Sequence, residues 1–484
     1  MPLRQSIVKF FTFTLFGGIL FLCACNKNST MDKLMHAAEK NDTETISALI
    51  KKGIDVNRQN SDGFTALIFA AQMGNKETVD ILLNANADPN IKSNNGGITA
   101  LMIASQENHV EVVNMLLKAK ANPNIQESSN WNTALTLASF YGHKEIVNML
   151  LRAKADPNIK NKTSTTPLIG ASIKGYKEIV SMLLRAKADP NMQDINMWTA
   201  LIFASIQGDG LNDERITKVL AEKGRANALN TDSTKEDYIW IVSMLLKAGA
   251  NPNISAGTGG TALIQAAMLG KKEIVDLLLR AGADPNMQSK SQEQNTALIL
   301  AAQNGYKEIV DMLLKAKADP NIKSEGITPL MMASQEGYKE IVDILLKAKA
   351  MPNLQDNKGT TALSMAAEGG HKEVVALLIN AGANANIKYK EGNTALMLAT
   401  QQGHKEVVNI LLRAQANPNI QNDNGITALM LASVRGYHEI VDALLKAGAN
   451  PSYKTSNGVT ALMGASQNGH HYIVAALRGA GARE

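Results

Sequence analysis

One stretch of this sequence, Gly425–Pro451, recurs in close copies along almost the whole chain, and that repetition limits the possible folds more than any other feature. Near its start, Thr427 can cap a short helix by accepting a hydrogen bond from an orphan backbone N–H, and Gly436 is placed to end that helix. A second short helix follows, with apolar residues on one stripe at helical spacing: Ile440, Val441, Leu444 and Leu445. The unit therefore predicts a pair of short helices.

Neither helix of the unit is long enough to be stable alone. Each has roughly ten residues, and isolated helices below about 12–15 residues are marginal in water. One packed pair still leaves apolar side chains bare on two sides, so burial is complete only when further pairs stack against it. Apolar residues make up 45% of the chain but aromatic ones only 4%, which suits a stack filled by small and aliphatic side chains. We therefore expect a solenoid.

Thirteen copies of the unit can be marked by the residue in the place of Thr427: Asp32, Thr65, Thr99, Thr133, Thr166, Thr199, Thr261, Thr296, Thr328, Thr361, Thr394, Thr427 and Thr460. All intervals but one are 32 to 35 residues long. The pattern resembles the ankyrin repeat, which has a period of about 33 residues, a turn, two helices and the core T-P-L-H-x-A. The resemblance covers residues 31–484 and implies an all-α ankyrin-repeat solenoid of stacked helix-turn-helix units with hairpin-like finger turns.

Two departures from the family pattern carry structural predictions. Apolar residues replace the family's core His, among them Met102, Met331 and Met397, so we expect apolar packing instead of a Thr–His hydrogen bond. Lysines stand at the end of the second helix, where the family favours Gly, in several copies: Lys120, Lys154, Lys187, Lys317 and Lys349. If these lysines adopt a left-handed backbone, each loses part of the ~1 kcal/mol advantage of Gly.

The interval from Thr199 to Thr261 is 62 residues long and contains an insertion, residues 209–237. One interpretation is a decayed repeat that has lost its first helix. The other is a functional lid or a protrusion that binds a partner. In either case the sequence predicts that a normal second helix resumes at Tyr238.

The amino terminus differs from the rest of the chain. Arg4 and Lys9 precede an apolar stretch, Phe10–Leu22, which suits a signal peptide and is shorter than the ~20 residues of a membrane-spanning helix. The run Leu22-Cys23-Ala24-Cys25 resembles the lipobox of bacterial lipoproteins, which implies a signal peptide over residues 1–24, lipidation of Cys25 and a tether over residues 25–30. A signal peptide cleaved without lipidation, or a short retained anchor, remains open.

Residues with catalytic or metal-binding chemistry are spread by the repeat rather than clustered. Most of the 8 histidines stand a whole repeat apart just after the first helix, and H-E-x-x-H is absent. The Gly-rich run 257–260 is followed by no Lys, so it indicates a finger turn rather than a phosphate loop. The formal net charge of +5 is mild and mixed in sign, which indicates no nucleic-acid partner. We expect no metal, no cofactor and no enzymatic activity, although a titrating cluster around the insertion would indicate an enzyme.

The ankyrin resemblance implies that the finger turns and first helices line a concave face whose variable residues bind a partner. Most of these positions are polar, but three successive units carry apolar groups: Trp131, Phe140, Tyr141, Ile173, Met197, Trp198 and Ile206. Exposed apolar and aromatic patches on soluble proteins mark contact sites, so these residues are our candidate partner-binding site. The alternative is that some of the rings fold over neighbouring repeats and are structural.

These observations lead to one function and one alternative. The function is a non-enzymatic protein-protein interaction scaffold, monomeric, exported, and held by its lipid on the periplasmic or surface side of a bacterial cell envelope. The alternative is a receptor for an anionic or carbohydrate polymer, indicated by the recurring lysines of the K-E-[IV]-V and L-L-K-A segments.

Overall fold

The computed structural model describes residues 30–94, 96–207, 233–257, 260–291 and 293–483. The chain divides into two compact units, residues 1–262 and 263–484. The described residues form 26 α-helices and no β-strand, only two isolated bridges, Ala256 to Gly260 and Ser324 to Ile327. The predicted signal peptide, Cys25 and residues 209–232 of the insertion lie outside the described residues.

The first unit contains helices that alternate between the first and second helix of a repeat: α1 (Thr30–Lys40), α2 (Thr43–Lys51), α3 (Ala66–Met73), α4 (Lys76–Asn84), α5 (Ala100–Gln106), α6 (Val110–Lys118), α7 (Ala134–Tyr141), α8 (Lys144–Arg152), α9 (Pro167–Lys174), α10 (Lys177–Arg185), α11 (Ala200–Ile206) and α12 (Lys235–Lys247). Each first helix up to α9 packs on the first helix of the next repeat, and each second helix up to α10 packs on the next second helix. The result is two layers of short helices, as the repeat predicts.

The same alternation continues with helix α13 (Ala262–Met268), at the boundary of the second unit, and the helices after it: α14 (Lys272–Arg280), α15 (Ala297–Gln303), α16 (Lys307–Lys315), α17 (Pro329–Gln335), α18 (Lys339–Lys347), α19 (Ala362–Glu368), α20 (Lys372–Asn380), α21 (Ala395–Gln402), α22 (Lys405–Arg413), α23 (Ala428–Arg435), α24 (His438–Lys446), α25 (Ala461–Gln467) and α26 (His471–Gly479). From α14 onward the second helices pack in sequence order, and the first helices do so from α15.

Threonine starts the first helices in the predicted way. The backbone N–H of Met430 donates to Thr427 Oγ1 at 3.3 Å, and Gly436 ends the helix with a φ of 78°. A left-handed residue after the last turn lets the backbone satisfy carbonyls that the helix leaves open. Both predictions for the repeat at Gly425–Pro451 are therefore confirmed.

The second helices end in a left-handed residue even where that residue is not Gly. The predicted lysines all have positive φ, between 62° and 68°: Lys120, Lys154, Lys187, Lys317 and Lys349. Gly448 occupies the same place with a φ of 84°. Because a Cβ clashes in this conformation, each lysine costs about 1 kcal/mol relative to Gly, partly offset by its favourable charge at a helix C-terminus.

The core is made of apolar side chains from both helices of each repeat. In α24, Ile440, Val441 and Leu444 are buried, and the fourth residue of the predicted stripe, Leu445, is half-buried. Met102, Met331 and Met397 are also buried, which confirms apolar packing at the place of the family's His.

The second helix after the insertion begins earlier than predicted. Helix α12 starts at Lys235 rather than at Tyr238, because Thr234 and Asp237 form a reciprocal capping box. The N–H of Asp237 donates to Thr234 Oγ1 at 3.3 Å, and that of Thr234 donates to Asp237 Oδ2 at 2.8 Å.

Candidate functional site

The finger turns, the segments just before each capping Thr, are linked to one another in the first unit. The N–H of Lys162 donates to the carbonyl of Asn130 at 2.8 Å, and the N–H of Ile195 donates to the carbonyl of Thr163 at 3.0 Å. Equivalent bonds join the preceding fingers and the following one. The finger tips are therefore held side by side at one-repeat intervals.

Each finger places at least one residue in the left-handed region, and two fingers put a large apolar side chain there. Trp131 has a φ of 61° and Met197 a φ of 64°, and their side chains are 52% and 44% exposed. The same place holds Gly in other fingers, for example Gly359 and Gly425, and Ser164 in the finger between Trp131 and Met197. A bulky residue in this conformation is an outlier, and such strain is concentrated at functional sites.

Ile195 extends this exposed surface and was missed by the sequence analysis. It is 66% exposed, more than any other large apolar side chain among the described residues. Its place in most other fingers is polar, as in Ser61, Lys162 and Asp423, and this contrast is the signal that could have revealed it. We call Trp131, Ile195 and Met197 the finger-tip patch.

Two of the predicted site residues are buried, which corrects the prediction that they are exposed. Trp198 is 6% exposed, and its ring packs on Phe203 with centroids 5.0 Å apart. Phe64 packs on Phe69 in the same way, so in these two fingers the aromatic residue before the capping Thr points inward. Ile173 is 7% exposed in helix α9, and its carbonyl accepts a hydrogen bond from the hydroxyl of Tyr238 at 3.1 Å.

The other predicted site residues differ in their surroundings. Phe140 is half-buried, lies against Gly170 of the next repeat, and has Lys174 Nζ 4.9 Å from its ring centroid. Tyr141 is 37% exposed and stacks on His143, and burial raises the pKa of its hydroxyl. Ile206 is half-buried at the end of α11. The alternative interpretation, in which rings cover neighbouring repeats, agrees with Phe140, which lies against Gly170, whereas Trp198 packs on Phe203 of its own repeat.

Asp194 lies at the base of the finger that carries Ile195 and Met197. Its Oδ1 accepts hydrogen bonds from the N–H groups of Asn196 at 2.9 Å and Trp198 at 2.8 Å. Its Oδ2 is buried and has no hydrogen-bond partner among the described residues. Burial raises the pKa of this carboxyl to about 6, against the lowering effect of these two bonds and of Lys160.

A ladder of asparagine side chains joins successive repeats at the turn after each second helix. Asn158 Oδ1 accepts from the N–H of Asp189 at 2.8 Å, and Asn158 Nδ2 donates to the carbonyl of Lys187 at 3.2 Å. Equivalent acceptor bonds are made by other asparagines: Asn57, Asn90, Asn124, Asn191, Asn286, Asn321, Asn353, Asn386 and Asn419. This ladder was not predicted from the sequence, which indicated only that the second helix ends at this turn.

The histidines that follow the first helices also join repeats. His109 Nε2 lies 2.9 Å from the carbonyl oxygen of Gln72, and His404 Nε2 lies 3.0 Å from that of Glu368. No group of three or more His, Cys, Asp or Glu residues within the described ranges is arranged to hold a metal ion. These histidines therefore have a structural role that does not need a ligand.

Among the helices of the described residues, none combines the length and the apolar character needed to cross a membrane. This finding does not extend to the predicted signal peptide, which lies outside those residues.

Comparison with known proteins gives a family match along almost the whole chain. The model for ankyrin repeats (3 copies) matches overlapping segments: 13–93, 34–127, 86–161, 135–232, 168–256, 233–324, 263–356, 330–422 and 410–483. The mitochondrial disaggregases of Bos taurus and Homo sapiens are similar over short segments, with 41% identity over 70 residues and 37% over 76 residues. These alignments cover 14% and 16% of this chain and 10% and 11% of the disaggregases, so the chain spans about a tenth of these curated relatives.

Proposed function

This chain belongs to the ankyrin-repeat family, and from that premise we propose that it is a non-enzymatic scaffold that binds a protein partner through the finger-tip patch. Ankyrin repeats are in general protein-interaction modules. The disaggregase similarity is a match of repeats alone and gives no support for a related activity here. Within this general role, we assign partner binding to one surface, the finger-tip patch of Trp131, Ile195 and Met197.

The observation that carries the proposal is the backbone strain beneath the two largest exposed side chains of the patch. Trp131 and Met197 occupy a conformation in which Gly would be more stable by about 1 kcal/mol each. About half of each side chain is in water, so packing within the folded chain offsets only part of that cost. Aromatic and large apolar residues supply most of the binding energy at protein interfaces. Contact with a partner would therefore explain why Trp131 and Met197 stand at strained positions.

The test uses glycine because it removes the side chain and the strain together. The full chain with Trp131→Gly and Met197→Gly is expected to unfold at the same or a higher urea concentration than the wild type. Partners captured from the native envelope fraction and identified by mass spectrometry should then bind the variant at least about tenfold more weakly, which is about 1.4 kcal/mol.

The matched control is Ser164→Gly, which makes the same backbone change in the finger between those of Trp131 and Met197. It should leave partner capture unchanged. Equal capture by the wild type and the Trp131→Gly, Met197→Gly variant would rule out the finger-tip patch as the binding surface.

We also propose that the scaffold is exported and anchored in a bacterial cell envelope by lipid on Cys25. The support is the lipobox-like run at residues 22–25 after a short apolar stretch. Two or more acyl chains anchor a protein stably, whereas one is marginal.

Cys25→Ser should abolish incorporation of labelled palmitate and release the chain from membranes, and Cys23→Ser should change neither. Incorporation of labelled palmitate into the Cys25→Ser variant would contradict anchoring by lipid on Cys25.

A further inference from the structure

The second helices of three successive repeats in the first unit end in a row of exposed cations. Helices α6, α8 and α10 each finish with one basic residue and are followed by a left-handed lysine two positions later. We call these six residues the basic strip: Lys118, Lys120, Arg152, Lys154, Arg185 and Lys187. All six side chains are exposed.

The three turns that carry the basic strip are fixed to one another. Helix α6 packs on α8, and α8 packs on α10. The asparagine ladder also holds the backbone, since Asn90 Nδ2 donates to the carbonyl of Lys120 and Asn158 Nδ2 to that of Lys187. Because packed helices lie about 8–10 Å apart, cations of neighbouring repeats are separated by roughly one Debye length at 0.1 M salt, and their fields add.

None of the six cations makes an ion pair within the described residues, whereas some of the equivalent cations in the second unit do. There, Lys315 is 2.6 Å from Asp311 and Lys347 is 2.7 Å from Asp343, one helical turn earlier. In the first unit the residues one turn earlier are neutral: Asn114, Asn148 and Ser181. The basic strip therefore keeps its charge available.

Negative charge near the strip is smaller than the positive charge. Asp156 and Asp189 lie on the same turns, and each is already bonded through Oδ1 to a backbone N–H, of Asn158 and Asn191 respectively. The three helix ends add about half a negative charge each. Six cations still outweigh these groups.

We propose that the basic strip binds a linear polyanion carrying phosphate groups, independently of the finger-tip patch. A single row of charges at one-repeat spacing suits an extended chain, and Arg and Lys are the side chains that bind phosphate oxygens. A membrane surface fits less well, because the turns at residues 118–122, 152–156 and 185–189 contain no exposed large apolar side chain.

The experiment measures binding of linear polyphosphate to the full chain at several salt concentrations. The variant Lys154→Gly, Lys187→Gly removes two charges and restores the residue that the backbone prefers, so misfolding is not expected. We expect it to weaken binding about tenfold and to lower the slope of log affinity against log salt by about one per lysine removed. The matched control is Lys317→Gly with Lys349→Gly, which makes the same change next to Lys315 and Lys347, the cations that are paired with aspartates. It should alter the affinity for polyphosphate less than about twofold.

Three results would overturn the proposal. The first is a wild-type chain that does not bind polyphosphate, and the second is an equal loss of affinity in both double variants. The third comes from vesicles of phosphatidylglycerol compared with vesicles of phosphatidylcholine. If Lys154→Gly, Lys187→Gly weakens binding to the anionic vesicles while polyphosphate binding is unaffected, the strip faces a membrane instead. Loss of protein capture by the finger-tip variants would not affect any of these measurements.

Discussion

Asn419 Oδ1 accepts a hydrogen bond of 2.7 Å from the backbone N–H of Asn450, one repeat further along the chain. The same side chain donates through Nδ2 to the carbonyl of Gly448 at 2.9 Å. One amide thus satisfies a donor and an acceptor of the following turn, which fixes the spacing of the two repeats at that edge. Ten asparagines make the acceptor bond among the described residues, so it is a regular part of the stack.

Removal of one asparagine of the ladder should lower stability by an amount typical of two lost hydrogen bonds. Asn419→Ala is expected to reduce the free energy of unfolding by about 1–2 kcal/mol, because both bonds lie at an exposed edge where water replaces them in part. Urea denaturation checks this value. Asn424→Ala, at an exposed finger residue without a side-chain bond in the structure, should stay within about 0.5 kcal/mol of the wild type. If Asn419→Ala and Asn424→Ala change the free energy of unfolding equally, the ladder bonds of Asn419 contribute nothing to stability.

The left-handed finger position should respond in opposite directions to opposite substitutions. Gly458 has a φ of 80° and open space where a Cβ would lie, so Gly458→Ala tests backbone strain alone and should cost about 1 kcal/mol. Trp131→Gly should return a similar amount. Both are measured by urea denaturation at one pH. A destabilised Trp131→Gly would mean that the indole contributes packing to the folded chain.

Asp194 should make the chain less stable as the pH rises. Its pKa is about 6 when folded and near 3.8 when unfolded, so the folded chain binds more protons between these values. Stability is therefore highest below the unfolded pKa and is lost as the pH rises through about 6. Asp194→Asn should match the wild type near pH 4 and exceed it at pH 7 by an amount on the order of 2 kcal/mol.

Asparagine already occupies the equivalent place in other fingers, which makes it a suitable replacement. Asn161 Oδ1 accepts from two backbone N–H groups as Asp194 does, and Asn161 Nδ2 also donates to Asn132 Oδ1 at 3.1 Å. Unfolding curves at a series of pH values provide the measurement. An unchanged difference between Asp194→Asn and the wild type from pH 4 to pH 7 would contradict titration of Asp194 in this range.

His404 should be replaceable by tyrosine but not by alanine. Its ring packs against Gly370 and its Nε2 lies within hydrogen-bond distance of the carbonyl of Glu368. Tyr437 fills the same place one repeat later, against Gly403. We therefore expect His404→Tyr to change the free energy of unfolding by less than about 1 kcal/mol and His404→Ala to lower it by about 2 kcal/mol. If His404→Tyr and His404→Ala unfold at the same urea concentration, the prediction that tyrosine can replace His404 and alanine cannot is wrong.

Several features of the fold could be predicted because they depend on residues close together in the chain. Thr427 caps a helix through a bond to the backbone three residues later, and Lys154 takes a left-handed conformation because it follows a helix end. Neither requires knowledge of a neighbouring repeat. The predicted start of α12 was wrong although it too depends on residues close in the chain, because the capping pair Thr234 and Asp237 was not recognised in the polar connection.

The candidate site could be predicted only in part. Trp131, Tyr141 and Met197 are exposed, but Trp198, adjacent to Met197, is buried against Phe203. In a finger, successive side chains point in different directions, so composition identified the segment without showing which side of it faces water. Ile195, the most exposed of the three residues of the finger-tip patch, was not predicted.

The sequence alone therefore determined the repeat, its two helices, their capping residues and the family, because each depends on periodicity and on bonds that span a few residues. The tertiary structure decided which apolar side chains remain exposed and how Asn158 and His404 join repeats. These properties depend on atoms about one repeat away in the chain, such as the N–H of Asp189 and the carbonyl of Glu368, which packing alone brings within reach.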